Sequence, residues 1–161
     1  MRALVMSDSH GMGEDLKWTI ADAWQQAGPQ PIDWYIHCGD GCEDLERVKD
    51  VIAARDPRAC FCAVRGNCDF GTNVPASAEI TVGGLRVFVT HGHYYHVKSG
   101  LMNLNYAAEE RGCDIVLYGH THVPDMEMGQ ALLVNPGAAM DGRMALLEVT
   151  DGKPRVRLLR L

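Results

Sequence analysis

The apolar positions in the first half of the chain alternate between runs of strand length and helical spacing. Strand-like runs occupy residues 2–7, 33–38 and 59–64. Between them, apolar residues recur every three or four positions, as on the buried face of an amphipathic helix. They are Leu16, Ile20, Ala23, Trp24 and Ala27 in the first stretch, and Leu45, Val48 and Ile52 in the second. This β-α-β-α-β order predicts a parallel sheet with right-handed crossovers.

Strands dominate the second half of the chain. Gly83-Gly84 separates apolar runs at 79–82 and 85–90, which predicts a hairpin. One more helix is predicted around Leu101 and Leu104, ending near Gly112. The remaining predicted strands are 114–118, 131–134, 144–150 and 155–159. This change from alternating strands and helices to mostly hairpins favours two packed sheets flanked by helices over a single doubly wound sheet. The sequence contains no linker and no internal repeat, so we predict a single domain over residues 1–161.

Composition and charge exclude several classes of protein. The chain has 161 residues, 47% of them hydrophobic and 22% charged, which excludes wholesale disorder and a coiled coil. It has no apolar run of about 18 residues, so no membrane span or membrane partner is expected. Asp8 interrupts the first apolar run too early for a signal peptide, and we expect a cytoplasmic protein. A net charge of -6 argues against an extended nucleic-acid surface.

The six cysteines do not predict disulfides or a structural zinc site. A cytoplasmic protein lies in a reducing compartment, and the C-x3-C and C-x-C spacings differ from the paired C-x2-C of zinc sites. We therefore expect most of them to be buried free thiols. They are Cys38, Cys42, Cys60, Cys62, Cys68 and Cys113.

Five predicted strands are each followed at once by a residue that could bind a metal. The segments are Asp8-Ser9-His10, Gly39-Asp40-Gly41, Gly66-Asn67-Cys68-Asp69, His91-Gly92-His93 and Gly119-His120-Thr121-His122. Open α/β sheets place their sites at the carboxyl ends of strands. Any one of these motifs alone is more typical of an ordinary turn or cap, whereas the coincidence of five predicts a metal site.

The residue types indicate which ions this site would hold. Two carboxylates, one amide and four imidazoles suit Mn, Fe, Zn, Ni or Co better than Ca, which prefers oxygen ligands only. Seven ligands are too many for one transition ion, whereas two ions sharing one carboxylate would use all of them. Asp40, between two glycines, is the predicted bridge. No thiolate takes part unless Cys68 joins the set.

The ordered motifs D-x-H, GD, GN-x-D, H and GH-x-H resemble the signature of the calcineurin-like metallophosphoesterases. HCGD, RGNCD, THGH, YGHTH and NPG (135–137) are similar to those of small single-domain bacterial and archaeal phosphodiesterases. The resemblance implies an α/β fold, a four-layer α/β/β/α sandwich with a dinuclear metal site at the carboxyl strand ends. It assigns one ion to Asp8, His10, Asp40 and His122, and the other to Asp40, Asn67, His91 and His120.

The activity implied is hydrolysis of a small phosphoester, most typically a diester, by a hydroxide that two divalent ions activate. Mn is the expected metal, with Ni, Fe, Zn, Co and Mg as alternatives. Many larger members have a histidine, the general acid, where this chain has Cys68. His93 is the candidate to protonate the leaving group instead, although it could equally orient a ligand or lie on a surface loop. Asp69 is expected to orient Asn67 or a ligand imidazole.

Two other functions compete with the phosphodiesterase. A retromer subunit resembles this fold and serves mainly in protein–protein contacts, so a non-catalytic scaffold or interaction module is the alternative. A scaffold is free to lose metal ligands, and all seven are present here, which favours the enzyme. A nuclease is disfavoured because the acidic chain lacks a basic groove. The hairpin edges and apolar C-terminal tail are compatible with a homo-oligomer.

Overall fold

Ten strands and four helices form the fold in the computed structural model, which describes residues 1–161. The strands are β1 (Arg2–Met6), β2 (Trp34–His37), β3 (Cys60–Ala63), β4 (Ser77–Val82), β5 (Leu85–Thr90), β6 (Ile115–Leu117), β7 (Asp125–Met128), β8 (Leu132–Asn135), β9 (Arg143–Thr150) and β10 (Lys153–Arg160). The helices are α1 (Leu16–Ala27), α2 (Cys42–Arg47), α3 (Lys49–Arg55) and α4 (Met102–Arg111).

The strands form two five-stranded sheets with different connections. The first sheet has the order β10-β9-β1-β2-β3, in which β1, β2 and β3 are parallel and β9 and β10 complete an antiparallel edge. The second has the order β4-β5-β6-β8-β7, with β5, β6 and β8 parallel and antiparallel strands at both edges. The parallel strands therefore point their carboxyl ends to a common edge within each sheet.

Three apolar clusters show how the layers stack. Aliphatic side chains from both sheets, such as Val5, Ile36, Val89 and Leu117, pack together in the cluster between the sheets. The helices α1, α2 and α3 cover the other face of the first sheet. The helix α4 covers the other face of the second, where Leu104 is fully buried. The order helix, sheet, sheet, helix confirms the predicted α/β sandwich.

Two elements differ from the sequence-based expectation. The second amphipathic stretch forms two short helices because Val48, with φ of −105° and ψ of 3°, interrupts the helix between α2 and α3. The strand β7 was not predicted, because all four of its residues are exposed and show no alternation of burial. It is an edge strand paired only with β8. The predicted hairpin at Gly83-Gly84 is present.

The cysteines are all free thiols, and four of the six are buried, as expected for most of them. Cys60 and Cys68 are exposed. None of the helices has the length and apolar character that crossing a lipid bilayer requires.

Candidate metal centre

The loops that follow β1, β2 and β3 of one sheet meet the loops that follow β5 and β6 of the other. Asp8 lies two residues beyond β1, Asp40 three beyond β2, and His91 directly after β5. His120 and His122 follow β6. The topology therefore places segments far apart in the sequence at one end of the sandwich.

The first group of donor atoms comes from Asp8, His10 and His122, whose ligand atoms lie within 4.8 Å of one another. The Nε2 atom of His122 is 3.1 Å from Oδ1 of Asp8 and 3.2 Å from Nε2 of His10. The Nε2 atom of His10 is 3.8 Å from the same Asp8 oxygen. One carboxylate oxygen and two imidazole nitrogens thus face a common point.

The second group comes from Asp40, His91 and His120, again within 4.8 Å. The Oδ2 atom of Asp40 is 3.3 Å from Nε2 of His91 and 3.9 Å from Nε2 of His10, which belongs to the first group. The rings of His91 and His120 have centroids 5.0 Å apart. Asp40 therefore lies between the two groups.

Two buried atoms in these groups lack a hydrogen-bond partner. They are Oδ1 of Asp8 and Nε2 of His91. The Nδ1 atom of His91 donates to the carbonyl oxygen of Cys38 at 2.8 Å, so the proton lies on Nδ1 and Nε2 keeps its lone pair. A buried carboxylate oxygen without a partner is costly, and a bound cation would remove that cost. The residues present therefore fit divalent metal ions.

The electrostatic environment of Asp40 and His120 favours the protonation states in which these two residues bind metals. Burial of Asp40 opposes ionisation, but the neighbouring His91 imidazole and the hydrogen bond from the backbone N–H of Cys68 outweigh it and hold the pKa of Asp40 well below its usual range. Burial, followed by the neighbouring His91, lowers the pKa of His120 to about 4. At pH 7 these residues provide a carboxylate and a neutral imidazole, which are the ligand forms.

Backbone strain is concentrated at the same residues. Seven residues other than glycine have positive φ, and five of them are predicted ligands. They are Asp8 (52°), His10 (48°), Asp40 (55°), His120 (70°) and His122 (62°). Each such conformation costs on the order of 1–3 kcal/mol and persists only where the surrounding structure imposes it. This clustering is typical of a functional site.

Two glycines allow the loops to approach the carboxylates closely. A Cβ at Gly66 would collide with the carboxylate and backbone of Asp40. A Cβ at Gly119 would collide with Ser7 and would lie 2.8 Å from Oδ2 of Asp8. Neither glycine has positive φ, so glycine is required at these positions because of the close approach of neighbouring atoms and not because of the backbone conformation.

Asp69 has a different role from the one expected. Asp69 forms no hydrogen bond with Asn67 or an imidazole, and its carboxylate instead accepts hydrogen bonds from the backbone N–H groups of Asp40 (2.8 Å), Gly41 (2.7 Å) and Gly66 (2.7 Å). These bonds outweigh the effect of burial and lower the pKa of Asp69. Asp69 thus joins the loop after β2 to the loop after β3.

Two further polar residues, to which the sequence assigned no role, also hold the loops. Asp44, buried at the start of α2, accepts hydrogen bonds from the hydroxyl of Ser9 (2.6 Å) and the N–H groups of Gly11 (3.0 Å) and Gly13 (2.9 Å). Asn135, from the NPG motif, donates to the carbonyl of Gly119 at 2.9 Å. Both act on backbone groups, and no sequence spacing reveals such contacts.

His37 is fully buried beside the site. Its Nδ1 accepts the N–H of Gly39 at 3.1 Å, so Nε2 carries the proton and donates to Ser9 Oγ at 2.9 Å. Burial lowers its pKa to about 4. His37 therefore remains neutral and links two of the loops.

Asn67 and Cys68 are exposed on the loop after β3. The side-chain amide of Asn67 donates to Sγ of Cys68 at 3.3 Å. That sulfur lies within 4.8 Å of ligand atoms of His10 and Asp40. Cys68 is thus at the rim of both groups, as the sequence allowed.

His93 lies next to the second group, in the single turn that follows β5. Its ring centroid is 5.4 Å from that of His91 and 6.1 Å from that of His120. Its Nδ1 atom is buried without a hydrogen-bond partner, and burial, followed by His91, lowers its pKa. His96, by contrast, is exposed.

Comparisons with known proteins identify the family of this chain. The model of the calcineurin-like phosphoesterase superfamily domain matches residues 1–152. The probable metallophosphoesterase YsnB of Bacillus subtilis is 37% identical over 139 residues, covering 86% of this chain and 75% of YsnB. The phosphodiesterase YfcE of Escherichia coli is 35% identical over 156 residues, covering 86% of this chain and 79% of YfcE.

Solved structures share the fold. A predicted phosphoesterase from Streptococcus pneumoniae superposes with a TM-score of 0.74 at 28% identity, covering 99% of this chain and 88% of that one. Vps29 from Entamoeba histolytica, solved in complex with Zn²⁺, superposes with a TM-score of 0.72 at 19% identity, covering 99% and 98%. At that identity, the second similarity concerns the fold alone.

Proposed function

Since this chain belongs to the calcineurin-like phosphoesterase superfamily, whose model spans residues 1–152, we propose that it is a phosphodiesterase dependent on two divalent metal ions. The observation that carries the proposal is the position of Asp40 between two groups of donor atoms, 3.3 Å from His91 and 3.9 Å from His10. A carboxylate in that position suits two ions that share a ligand.

The proposed ligands are the two groups of donor atoms together with Asn67, an exposed residue of the loop after β3, and Asp40 is shared by both ions. Asp8, His10, Asp40 and His122 would hold one ion, and Asp40, Asn67, His91 and His120 the other. The unpartnered buried atoms of Asp8 and His91 support this assignment. The mixed oxygen and nitrogen set suits Mn²⁺, and it suits Ni²⁺, Fe²⁺, Zn²⁺ and Co²⁺ as well.

Divalent ions bound here would lower the pKa of a water molecule and neutralise charge on phosphate oxygens. The residues of the chain keep the ligands in place for this chemistry. The hydrogen bond from His91 Nδ1 to Cys38 fixes the orientation of that ring. Asp69 and Asp44 hold the loops that carry Asp40 and His10. His93, beside His91 and His120, is the proposed proton donor to the leaving oxygen.

A diester is the proposed substrate because the relative YfcE is named a phosphodiesterase and shares 35% identity with the chain. The non-catalytic scaffold remains the alternative, since Vps29 proteins share the fold. Schizosaccharomyces pombe Vps29 is 32% identical over 77 residues, which cover 47% of this chain. Strained backbone at five proposed ligands favours the enzyme, because a scaffold has no need to maintain it.

Hydrolysis of bis(p-nitrophenyl) phosphate tests the proposal. Protein stripped of metal with a chelator is assayed alone and after addition of Mn²⁺, Ni²⁺, Mg²⁺ or Zn²⁺. We expect restoration by Mn²⁺ or Ni²⁺ in the parent, and near-complete loss in Asp40→Asn. Asp50→Asn, which changes an exposed carboxylate on α3, is the matched control. Equal hydrolysis by the stripped and metal-loaded protein would reject metal dependence, and no hydrolysis with any of the metals would favour the scaffold.

A further inference from the structure

A cavity of about 570 Å³ opens directly beside the candidate metal centre. Its walls are the loops after β1, β2 and β3 together with α2, and His10, Asp40 and Cys68 belong to its lining. The volume lies within the range of about 300–1,000 Å³ that is typical of pockets for small molecules. A phosphoester bound at the metal centre would thus have room for one of its alcohol groups in this cavity.

Besides the imidazole of His10, a proposed metal ligand, Phe70 carries the only aromatic ring that lines this cavity. It is 88% exposed, more than any other large hydrophobic residue of the chain, and it belongs to none of the three apolar clusters. Its backbone N–H bonds to the carbonyl of Cys68 at 3.2 Å, in the turn that Asp69 anchors. Phe70 thus lies at the rim of the cavity on a turn held by hydrogen bonds, and its exposed ring is free to stack on a ligand.

Arg47 is the only arginine or lysine in the lining. Glu43 lies one turn earlier on α2 and also lines the cavity, but it forms no ion pair with Arg47. The nearby carboxylates of Asp44 and Asp69 are occupied by backbone N–H groups. The guanidinium of Arg47 is therefore available to acceptor groups of a ligand.

We propose that this cavity binds the nucleoside part of a nucleotide phosphodiester, with Phe70 stacked on the base and Arg47 donating hydrogen bonds to carbonyl groups at the edge of the base. This inference rests on the proposed function, which places the phosphate at the metal centre. A nucleoside has a flat ring and polar edges, which matches a polar cavity with one exposed aromatic ring. A lipid phosphodiester would need apolar walls, and only Phe70 and Cys68 in the lining are apolar.

Binding of two probes to the Mn²⁺-loaded protein tests the inference separately from hydrolysis. Thymidine 5′-monophosphate and 2-deoxyribose 5-phosphate differ only in the base, and isothermal titration calorimetry gives the Kd of each. In the parent, the nucleotide is expected to bind about tenfold more tightly, in line with the loss seen when one base–aromatic stack is removed. Equal Kd values in the parent would overturn the inference, whatever the outcome of the hydrolysis assay.

Variants of Phe70 and Arg47 then test whether these two residues cause the preference for the nucleotide. Phe70→Ala should bring the ratio of the two Kd values close to one, whereas Phe70→Tyr should keep it because the ring remains. Arg47→Gln should also lower the ratio. Tyr106→Ala, which removes an exposed aromatic ring outside this cavity, is the matched control and should leave the ratio unchanged. A ratio that survives Phe70→Ala would overturn the stacking role, and equal weakening of both probes by Arg47→Gln would overturn the contact with the base.

Discussion

The carboxylate of Asp69 accepts a hydrogen bond from the backbone N–H of Asp40 at 2.8 Å. Asp40 bonds in return to the loop that carries Asp69, because its Oδ1 accepts the N–H of Cys68 at 2.7 Å. This reciprocal pair joins the loops after β2 and β3 and leaves Oδ2 of Asp40 facing His91. The position of Asp40, the proposed bridging ligand, therefore depends on Asp69, which is not itself a proposed metal ligand.

Asp69→Asn is expected to weaken metal binding. One acceptor oxygen becomes an NH₂ group that faces backbone N–H donors, so at least one buried N–H loses its partner, at a cost of about 1–3 kcal/mol. Loss of a residue that orients ligands typically reduces metal affinity about 10–100-fold. Calorimetric titration with Mn²⁺ and urea unfolding measure the two effects. Asp50→Asn is the control, and unchanged Mn²⁺ affinity in Asp69→Asn would contradict this role.

Gly66→Ala should disrupt the site by steric collision. The new Cβ would meet the carboxylate of Asp40, which cannot retreat without losing its bond to Cys68. We expect loss of Mn²⁺ binding together with a lower midpoint of urea unfolding. Gly152→Ala, in the turn between β9 and β10, meets no atom within 4 Å but lies at a φ of 70°, so it measures the cost of a strained backbone away from the site without a collision. If both variants bound Mn²⁺ like the parent, the close approach at Gly66 would be unimportant.

Acid should destabilise the metal-free protein partly through His37. Its pKa is about 4 in the folded state, below the ordinary value of 6.5, because of burial. The unfolded state therefore binds more protons between these values, and stability falls as the pH decreases from about 6.5 to 4, by up to about 3 kcal/mol. Urea unfolding across this range should show a shallower pH dependence in His37→Gln than in the control His96→Gln, which changes an exposed histidine. The same slope in all three proteins would refute the assignment.

His93→Ala separates two roles for this residue. As the proton donor, His93 matters most when the leaving alcohol is a poor leaving group, because p-nitrophenolate departs without protonation. We expect a drop in kcat of about 100-fold or more for an alkyl ester, and a much smaller one for bis(p-nitrophenyl) phosphate. Steady-state kinetics with both esters measure the difference. Equal reductions would indicate that His93 positions other groups instead.

The sequence predicted the strands and the metal-binding segments because both have strong local signals. Runs such as 2–7 and 114–118 are apolar, and the D-x-H and H-x-H segments follow them directly. The edge strand β7 has no such signal, since all its residues are exposed. The interruption of the helix at Val48 could not be predicted either, because the helical spacing of apolar residues continues through this position.

The contacts that hold the site together could not be predicted in this way. Asp44, Asp69 and Asn135 bond mainly to backbone groups of distant loops, and such contacts depend on topology rather than on spacing. The positive φ angles at the proposed ligands are likewise visible only in the fold. A single domain over 1–161, a cytoplasmic location and a homo-oligomer stay predictions.

The most direct test of the account is a stepwise Mn²⁺ titration of the stripped protein, with bound Mn²⁺ and the rate of bis(p-nitrophenyl) phosphate hydrolysis measured at each step. The account predicts two bound ions per chain, a rate that rises as the second ion binds, and loss of both that ion and the rate in Asp40→Asn. Hydrolysis by the stripped protein at the full rate, or an Asp40→Asn variant that matches the parent, would contradict it.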